Sequence, residues 1–565
     1  MSQNDCIGKT LKPWPILVDH YSTVELKPLT LLLGENSSGK STFLRTFPLL
    51  RQSLEAATRG PILWFGSYVD FGSFEEAVSH YSESKTIDFT FSVDLTMLRK
   101  MLPPRYYIYS GVTSNEDFIG TLSLDGNNKE GHTRVKAVKF EHRDNKICVT
   151  FSKNNKVHKV TSNGIDLSSC FSNVVIETEK DAYSIFPWIT FSNGSNRTFS
   201  GYLERHNDEV LSVLSSKIQK YAHGKSSPDK LLTKLNKTGN QPIEEFINTF
   251  QEVSSTDTWR KRTANISPTD PNIHEIHALL FASRLGWLIS LVNVSLANEL
   301  SNVQYVAPLR ATAERYYRNQ DLSINEVDFQ GKNLAMFIKN LGERKKDYQK
   351  WMLDNFGFYL VASSNGGHLS LRIHYSDSLE SYNVTDMGFG FSQILPILTQ
   401  LWFSSINQPQ TNGRFAPAIT NKYLVIEQPE LHLHPRFQAK MVDVFIKVIN
   451  YVRRHNSNSM LKIIIETHSE TIVNQIGHRI AYRNKVNKRH AKFIDKEEHI
   501  LDDDRDDYEV FKIAYDSSIA HDDVSIVIFD KLRPNEPTEV THSKFDNDGN
   551  LIDWPWGFFE PELVL

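Results

Sequence analysis

Three short apolar runs, far apart along the chain, each lead into a polar or glycine-rich segment. Residues 31–33 precede Gly34, residues 423–426 precede Glu427, and residues 463–465 lead to a segment that contains His468. Apolar runs of this length, bounded by turn or polar residues, are typical of buried parallel strands. Ligands bind at the carboxyl ends of such strands in open α/β sheets. The pattern therefore predicts an α/β core with a ligand-binding edge.

The rest of the chain alternates between two other patterns. Residues 86–165 show period-two alternation with turn signals between the runs, which predicts an antiparallel β layer beside the core. Residues 200–300 have helical spacing, and neither a long heptad array nor an internal repeat is visible. We predict an N-terminal lobe, a helical insertion, a C-terminal lobe and a C-terminal extension. Their predicted bounds are residues 1–200, 201–304, 305–480 and 481–565.

The first apolar run is followed by a complete G-x-x-x-x-G-K-S pattern at residues 34–41. A strand that turns through glycines into a helix aims several backbone N–H groups at one phosphate. We predict that Lys40 neutralises β- and γ-phosphate charge and that the Ser41 hydroxyl binds Mg²⁺. The residues predicted to contact the nucleotide here are Gly34, Glu35, Asn36, Ser37, Ser38, Gly39, Lys40, Ser41 and Thr42.

The second and third apolar runs supply candidate polar groups for the same phosphate. Glu427 is predicted to hold Mg²⁺ with Ser41, directly or through water. Taken alone, its segment is equally consistent with a core strand that ends in a solvated acid, and the phosphate loop is what favours the metal role. A lone histidine after a strand is usually structural, but at this edge His468 is predicted to contact the γ-phosphate or orient attacking water.

Residues 386–393 combine two glycines with the start of an apolar helix. Free N–H groups, a hydroxyl and a helix N-terminus favour an anion. Glycines before a helix are common. The position of the segment shortly before the Glu427 strand is what gives it weight.

Taken together, these motifs resemble the ATP-binding-cassette class of ATPase heads. Within that class they resemble the branch of the overcoming-lysogenisation-defect ATPases and of the PtuA ATPases of Septu and retron antiviral systems. Residues 305–310, 330–335 and 553–559 extend the likeness. The resemblance implies an α/β fold: an ABC-ATPase-like head with a mixed core sheet, an antiparallel β layer and a helical insertion, without a long coiled coil. It also implies ATP-dependent dimerisation, because in the family a segment such as 386–393 caps ATP on the other protomer. By this resemblance Gly390, Ser392 and Gln393 are expected to contact the nucleotide.

One departure from the family pattern concerns hydrolysis. Many cassette ATPases carry an Asp-Glu pair where this chain has Glu427-Gln428. An amide cannot accept the proton of attacking water, although it can orient that water. We therefore predict ATP binding with slow or regulated hydrolysis, with Glu430 as an alternative base. The predicted catalytic residues are Glu430, Gln428 and His468.

A further family feature is the His-x-His-Pro segment at His432 and His434. Histidines at i and i+2 do not match the i, i+4 pair that a helical zinc site needs. A subunit contact is the favoured role, with metal binding and plain packing as alternatives.

The resemblance to PtuA implies the expected partners as well. The first is a small HNH nuclease of the PtuB kind, and a retron reverse transcriptase with RNA-linked DNA is a further candidate. The leading hypothesis is a cytoplasmic ATPase, using ATP and Mg²⁺, that acts as sensor and scaffold in a bacterial antiviral complex. The alternatives are a self-contained DNA-repair or DNA-processing ATPase and a nucleotide-gated interaction protein without a defence role.

Composition limits these hypotheses only coarsely. The chain has 565 residues, a formal net charge of −4 and three cysteines without metal-like spacing, which favours a reducing compartment. The sequence shows no export signal. The most apolar helical stretch, near residues 274–300, is interrupted by Arg284 and Glu299, so membrane insertion is not expected. Opposite charge blocks within residues 480–523 indicate either a partner-docking element or a flexible loop. Their aspartates are interpreted as solvated, and a nuclease activity is expected in another polypeptide.

Overall fold

The computed structural model describes most of the chain with gaps. The described residues are 24–79, 84–93, 102–112, 118–127, 132–172, 174–176, 183–191, 208–224, 226–322, 324, 326–376, 380–406, 420–455, 459–489, 505–531 and 536–554. Parts of several features described above lie outside these ranges. They are Cys6, one of the three cysteines; Asp502, Asp503 and Asp504 of the charged segment; and residues 555–559 of the segment 553–559.

The described residues form nineteen strands and fifteen α-helices. The strands are β1 Leu29–Gly34, β2 Thr86–Val93, β3 Phe118–Asn127, β4 His132–His142, β5 Asn145–Phe151, β6 Val157–Ser162, β7 Ile165–Asp166, β8 Val174–Ile176, β9 Ile189–Phe191, β10 Val303–Val306, β11 Tyr317–Arg318, β12 Phe358–Asn365, β13 His368–Tyr375, β14 Ser381–Asn383, β15 Thr420–Glu427, β16 Ser459–Glu466, β17 Val524–Asp530, β18 Glu539–Phe545 and β19 Leu551–Ile552. The helices are α1 Lys40–Glu55, α2 Phe74–Ala77, α3 Pro104–Ser110, α4 Asp208–Gln219, α5 Pro228–Asn236, α6 Ile243–Glu252, α7 Asp257–Thr263, α8 Pro271–Ala282, α9 Leu285–Leu300, α10 Leu334–Lys339, α11 Lys345–Phe356, α12 Phe389–Ile406, α13 Pro435–His455, α14 Glu470–Arg489 and α15 Arg505–Asp516.

The chain divides into two compact units, and the nucleotide motifs belong to one of them. That unit contains Leu26–Pro48 and most of the chain after Ser301. Its central sheet has the order β10-β15-β16-β1-β17-β18-β19. The first five of these strands are parallel to their neighbours, and β18 and β19 complete the sheet in antiparallel fashion. The carboxyl ends of β15, β16, β1 and β17 therefore meet at one edge, as the apolar runs predicted.

Alternating residues of the parallel strands face different helices because successive side chains of a strand point to opposite faces. Leu31, Ile426 and Ile463 belong to the large apolar core that includes side chains of α12, α13 and α14. The opposite face is covered by α1: the Phe47 ring lies 6.1 Å from the Tyr423 ring, and the Phe43 ring lies 5.7 Å from the Phe529 ring. Helix α1 is thereby fixed above the strands that end in Glu427 and Glu466.

The same unit contains a smaller antiparallel sheet. Strand β13 pairs with β11, β12 and β14. Phe358 and Leu371 of this sheet pack into the same apolar core as the parallel strands. The segment that leads into α12 leaves this sheet through β14.

The other unit, built mainly from Leu49–Ser301, is an antiparallel sheet with helices. The six strands of its main sheet follow chain order from β2 to β7, and β8 and β9 form a separate pair. Every pairing is antiparallel. Helices α4 to α9 follow in the chain. The β layer predicted for residues 86–165 and the helical stretch predicted for residues 200–300 are thus both present.

The fold class predicted from the sequence is confirmed: a mixed seven-stranded α/β sheet, an antiparallel sheet and a helical segment. The four segment boundaries stay a prediction of domain organisation. Among the described helices, none alone is long and apolar enough to cross a membrane, although α8 and α9 would pass that test together as a pair bent by 41°.

Candidate nucleotide site

The loop after β1 adopts the backbone conformation that its glycines permit. Gly34 has φ 146°, Ser37 has φ 63° and Gly39 has φ 101°. A Cβ on Gly34 would lie 2.1 Å from the carbonyl oxygen of Phe529, so the neighbouring strand β17 leaves no room for a side chain there. The Phe43 N–H then donates to the Gly39 carbonyl at 3.0 Å and starts α1. The loop is therefore a tight turn between a buried strand and a helix N-terminus.

Lys40 is buried and folds back over this loop. Its Nζ donates to the carbonyl oxygens of Gly34 at 2.9 Å and of Glu35 at 2.5 Å. Burial lowers the pKa of Lys40, and the carboxylates of Glu466 and Glu35 oppose that shift. Two neutral carbonyls are weak partners for a buried ammonium compared with a phosphate oxygen. The ammonium group of Lys40 is therefore held at the loop, where it can bind an anion.

Ser41, in the first turn of α1, contacts an acid that the sequence analysis had not assigned. Its Oγ donates to Glu466 Oε1 at 2.7 Å. Glu466 is only 2% exposed, and burial raises the pKa of its carboxyl, partly offset by the Ser41 hydrogen bond. Oε2 of Glu466 and Oγ of Ser38 are buried with no hydrogen-bond partner in the described residues. An orphaned carboxylate oxygen and an orphaned hydroxyl beside Lys40 and Ser41 fit a magnesium ion and a phosphate, respectively.

Glu427, also 2% exposed, is held by protein side chains. Arg45 binds it through two parallel hydrogen bonds, Nε to Oε1 and Nη2 to Oε2, both 2.8 Å long. The Tyr305 hydroxyl donates to Oε1 at 2.6 Å. This network raises the pKa of Arg45, chiefly through the hydrogen bond to Glu427, and burial raises the pKa of Tyr305. Both oxygens of the acid predicted to bind metal with Ser41 therefore already have protein partners.

The three predicted catalytic residues lie where β15 and β16 end. Gln428 has φ 43°, a left-handed conformation, and its N–H donates to the Glu466 carbonyl at 2.8 Å. The His468 N–H donates to Glu430 Oε1 at 2.8 Å. Burial raises the pKa of Glu430, whereas burial and the charge of Lys40 lower the pKa of His468. The structure thus brings the His468 backbone to Glu430 and leaves the exposed His468 imidazole near Lys40.

Ser392 and Gln393 are buried within the chain. Ser392 is 6% exposed, and its Oγ accepts a hydrogen bond from the Ala313 N–H at 3.2 Å. The Gln393 amide is bonded to the backbone of Arg310, accepting from its N–H at 3.3 Å and donating to its carbonyl at 3.2 Å. Arg310 is buried, and its Nη2 donates to the Glu427 carbonyl at 2.6 Å. Gln393 therefore connects the start of α12 with the end of β15.

The exposed part of the predicted capping segment lies one turn earlier. Gly388 and Phe389 are exposed, and the Phe389 ring meets the His432 ring edge-on at 4.7 Å. A Cβ on Gly390 would lie 2.8 Å from the His432 carbonyl oxygen. The capping segment and the His-x-His segment, separated by some forty residues of sequence, are therefore one surface feature. We call Gly388, Phe389, Gly390 and His432 the capping surface.

Several residues of the site were missed by the sequence analysis. Arg45 follows Ser41 by four residues, which is one helical turn, so its place on the same face of α1 could have been found. Tyr305 lies in a segment noted only for its family likeness. Thr538 gave no signal at all: it lies 500 positions from Ser38, and its hydroxyl donates to the Ser38 carbonyl at 2.7 Å.

A buried parallel strand, a glycine turn and a helix that begins with Lys40 and Ser41 define the head of a phosphate-binding-loop ATPase. The family model described as AAA ATPase domain matches residues 19–473. The chain belongs to that AAA ATPase family. Membership implies nucleotide binding, usually with Mg²⁺. No curated protein matches the chain.

Proposed function

We propose that this protein binds ATP with Mg²⁺ and uses the bound nucleotide to control dimerisation and a nuclease partner. The observation that carries the nucleotide part is the position of Lys40, buried against the carbonyls of Gly34 and Glu35 at the ligand edge of the sheet. A buried cation without a carboxylate in hydrogen-bond contact is costly unless an anion arrives. Magnesium would add positive charge at the β- and γ-phosphate oxygens.

Hydrolysis in this proposal is slow or regulated. Gln428 stands where relatives have a general base, and its amide can only orient water. Glu430 is the carboxylate available instead, because burial raises its pKa and a base works best when its pKa approaches the working pH. The backbone N–H of His468 donates to Glu430 Oε1, and the exposed imidazole of His468 is proposed to contact the γ-phosphate. ATP then acts mainly to hold two heads together until turnover releases them.

Dimerisation is proposed to use the capping surface. Phe389, the first residue of α12, is 43% exposed, whereas the helix is buried from Ser392 to Ser404. The N–H groups of the first turn of α12 and the imidazole of His432 offer donors to an anion on a second subunit. Ser392 is buried behind this surface, and its hydrogen bond from the Ala313 N–H helps to hold the start of α12 in place.

If Glu430 is the base, Glu430→Gln should trap an ATP-bound dimer. The amide removes the proton acceptor while keeping the shape of the side chain, so the nucleotide persists and the heads stay together. Light scattering after addition of ATP and Mg²⁺ should show a stable dimer for Glu430→Gln and a transient one for the native protein. Phosphate release should fall at least about 100-fold, the lower end of a general base's contribution.

The control for this experiment is a charge placed on the capping surface. Phe389→Glu should bind ATP normally yet remain monomeric, alone or combined with Glu430→Gln. Phe65, which is 67% exposed in the other unit, offers a matched aromatic position, and Phe65→Glu should leave dimers intact. Arginine at Ser392 would be a poorer test because it would disturb the subunit's own core. Equal hydrolysis by Glu430→Gln and the native protein would exclude Glu430 as the base.

The partner and the cellular role are proposed from the family resemblance. The expected complex contains an HNH nuclease of the PtuB kind, with a retron reverse transcriptase and its RNA-linked DNA as a further candidate, in the cytoplasm of a bacterium that resists phage. Purification from the native host, followed by mass spectrometry and nucleic-acid extraction, should recover a nuclease that co-elutes with this chain. Recovery of the chain alone, together with Mg²⁺-dependent DNA cleavage by the pure protein, would favour a self-contained DNA-processing ATPase.

A further inference from the structure

The order of strands in the central sheet places the two buried acids, Glu466 and Glu427, at different distances from the phosphate loop. Strand β16 lies between β1, which carries the phosphate loop, and β15. In the sheet register Glu466 is paired with Leu32 on one side and with Glu427 on the other. Adjacent strands lie about 4.8 Å apart. Glu466 is therefore next to the loop strand, and Glu427 is one strand farther away.

The contacts of Glu466 fit the role of a magnesium ligand. The Ser41 Oγ and Glu466 Oε1 atoms are 2.7 Å apart. Mg²⁺ binds oxygen at about 2.1 Å in octahedral geometry, so neighbouring ligand oxygens lie about 3 Å apart. Oε2, the second oxygen, is buried and has no partner in the described chain. One carboxylate thus both accepts the hydrogen bond of the Ser41 hydroxyl through Oε1 and keeps Oε2 for a cation or its water.

In Glu427, by contrast, both carboxylate oxygens already have protein partners. Its two oxygens accept three hydrogen bonds from Arg45 and Tyr305. A guanidinium keeps its charge at any ordinary pH, so a magnesium ion at Glu427 would have to displace Arg45 or sit beside a like charge. A fully bonded carboxylate that fixes a neighbouring helix is a positioning residue.

We propose that Glu466, and not Glu427, is the carboxylate that holds magnesium with Ser41 in the nucleotide complex. Glu427 instead anchors Arg45 and so fixes α1 over the sheet. This inference rests on the proposed function, because it concerns the metal that accompanies ATP. The end of β16 then supplies two groups of the site: Glu466, the proposed metal ligand, and His468, which is proposed to contact the γ-phosphate.

The test compares Glu466→Gln with Glu427→Gln, two isosteric changes at paired register positions of adjacent strands. ATP affinity is measured for each protein with Mg²⁺ and with EDTA, and Mn²⁺ binding in the presence of ATP is followed by electron paramagnetic resonance. In Glu466→Gln the gain in ATP affinity from Mg²⁺ and the affinity for Mn²⁺ should fall at least about tenfold. In Glu427→Gln both should stay within a factor of about three of the native values.

Two further variants keep the result interpretable. Ser41→Ala removes the hydroxyl partner and should reproduce the metal defect of Glu466→Gln. Glu466→Asp keeps the charge but withdraws it by one methylene, so its defect should be intermediate. It also serves if the glutamine variant does not fold. Loss of the Mg²⁺ effect in Glu427→Gln, with its retention in Glu466→Gln or Glu466→Asp, would overturn the assignment. Native protein that binds no ATP in either buffer would contradict the proposed function and this inference with it.

Discussion

Replacing Lys40 by methionine should remove measurable ATP binding and with it every nucleotide-dependent property of the protein. Methionine keeps most of the side-chain volume and loses the ammonium that now donates to Gly34 and Glu35. A hydrogen bond to a charged group contributes about 1.5–3 kcal/mol, and more than one phosphate oxygen is within reach of such a lysine. The dissociation constant for ATP should therefore rise at least about 100-fold. Calorimetric titration with ATP and Mg²⁺ measures this directly.

Lys422 provides the matched control for Lys40. It is a buried lysine of the same unit, its Nζ donates to the Ser404 carbonyl at 2.9 Å, and burial lowers its pKa to about 8. Lys422→Met should leave the ATP affinity within a factor of about three, while its effect on thermal unfolding shows what the loss of any buried lysine costs. Unchanged ATP affinity in Lys40→Met would contradict the assignment of residues 34–41 as a phosphate loop.

The phosphate loop could be predicted from sequence because its chemistry is local. Gly34, Gly39 and Lys40 lie within eight residues, and each meets a constraint inside the loop itself: a positive φ at the two glycines, and charge at a helix start at Lys40. The same is true of the fold class, because apolar runs and period-two alternation record which strands are buried on both faces and which on one.

The pairing of Ser41 with Glu466 could not be predicted, because it depends on the order of strands in the sheet. The sequence shows two apolar runs followed by acids and gives no sign that β16 is inserted between β15 and β1. Long-range contacts such as Thr538 with Ser38 are hidden for the same reason. Ser392 was expected to contact the nucleotide because its segment combines two glycines with a helix start, but α12 already begins at Phe389. The serine therefore falls late in the first turn, on the side that faces the core.

The ion pair of Arg45 with Glu427 should show strong coupling in a double-mutant cycle. Arg45→Met leaves a carboxylate that is 2% exposed with only the Tyr305 hydroxyl, and an unpaired buried charge is strongly destabilising. Because the Arg45 side chain is itself 38% exposed, we expect a loss of about 2–3 kcal/mol in the free energy of unfolding. Glu427→Gln should cost less, since Arg45 can turn to water. The double variant Arg45→Met/Glu427→Gln should be more stable than Arg45→Met alone, as urea unfolding would show.

Arg143 and Glu245 form a second bidentate pair, with hydrogen bonds of 2.9 and 2.7 Å, but Glu245 is exposed. Its cycle should give much weaker coupling that fades in high salt, because water screens the charges. Additive effects at Arg45 and Glu427 would show that the buried pair contributes nothing specific.

The Arg45/Glu427 cycle, repeated in saturating ATP and Mg²⁺, shows which of the two acids, Glu427 or Glu466, binds the magnesium ion. If magnesium goes to Glu466, Arg45 keeps its partner and the coupling persists, whereas an ion at Glu427 would displace the guanidinium and abolish it.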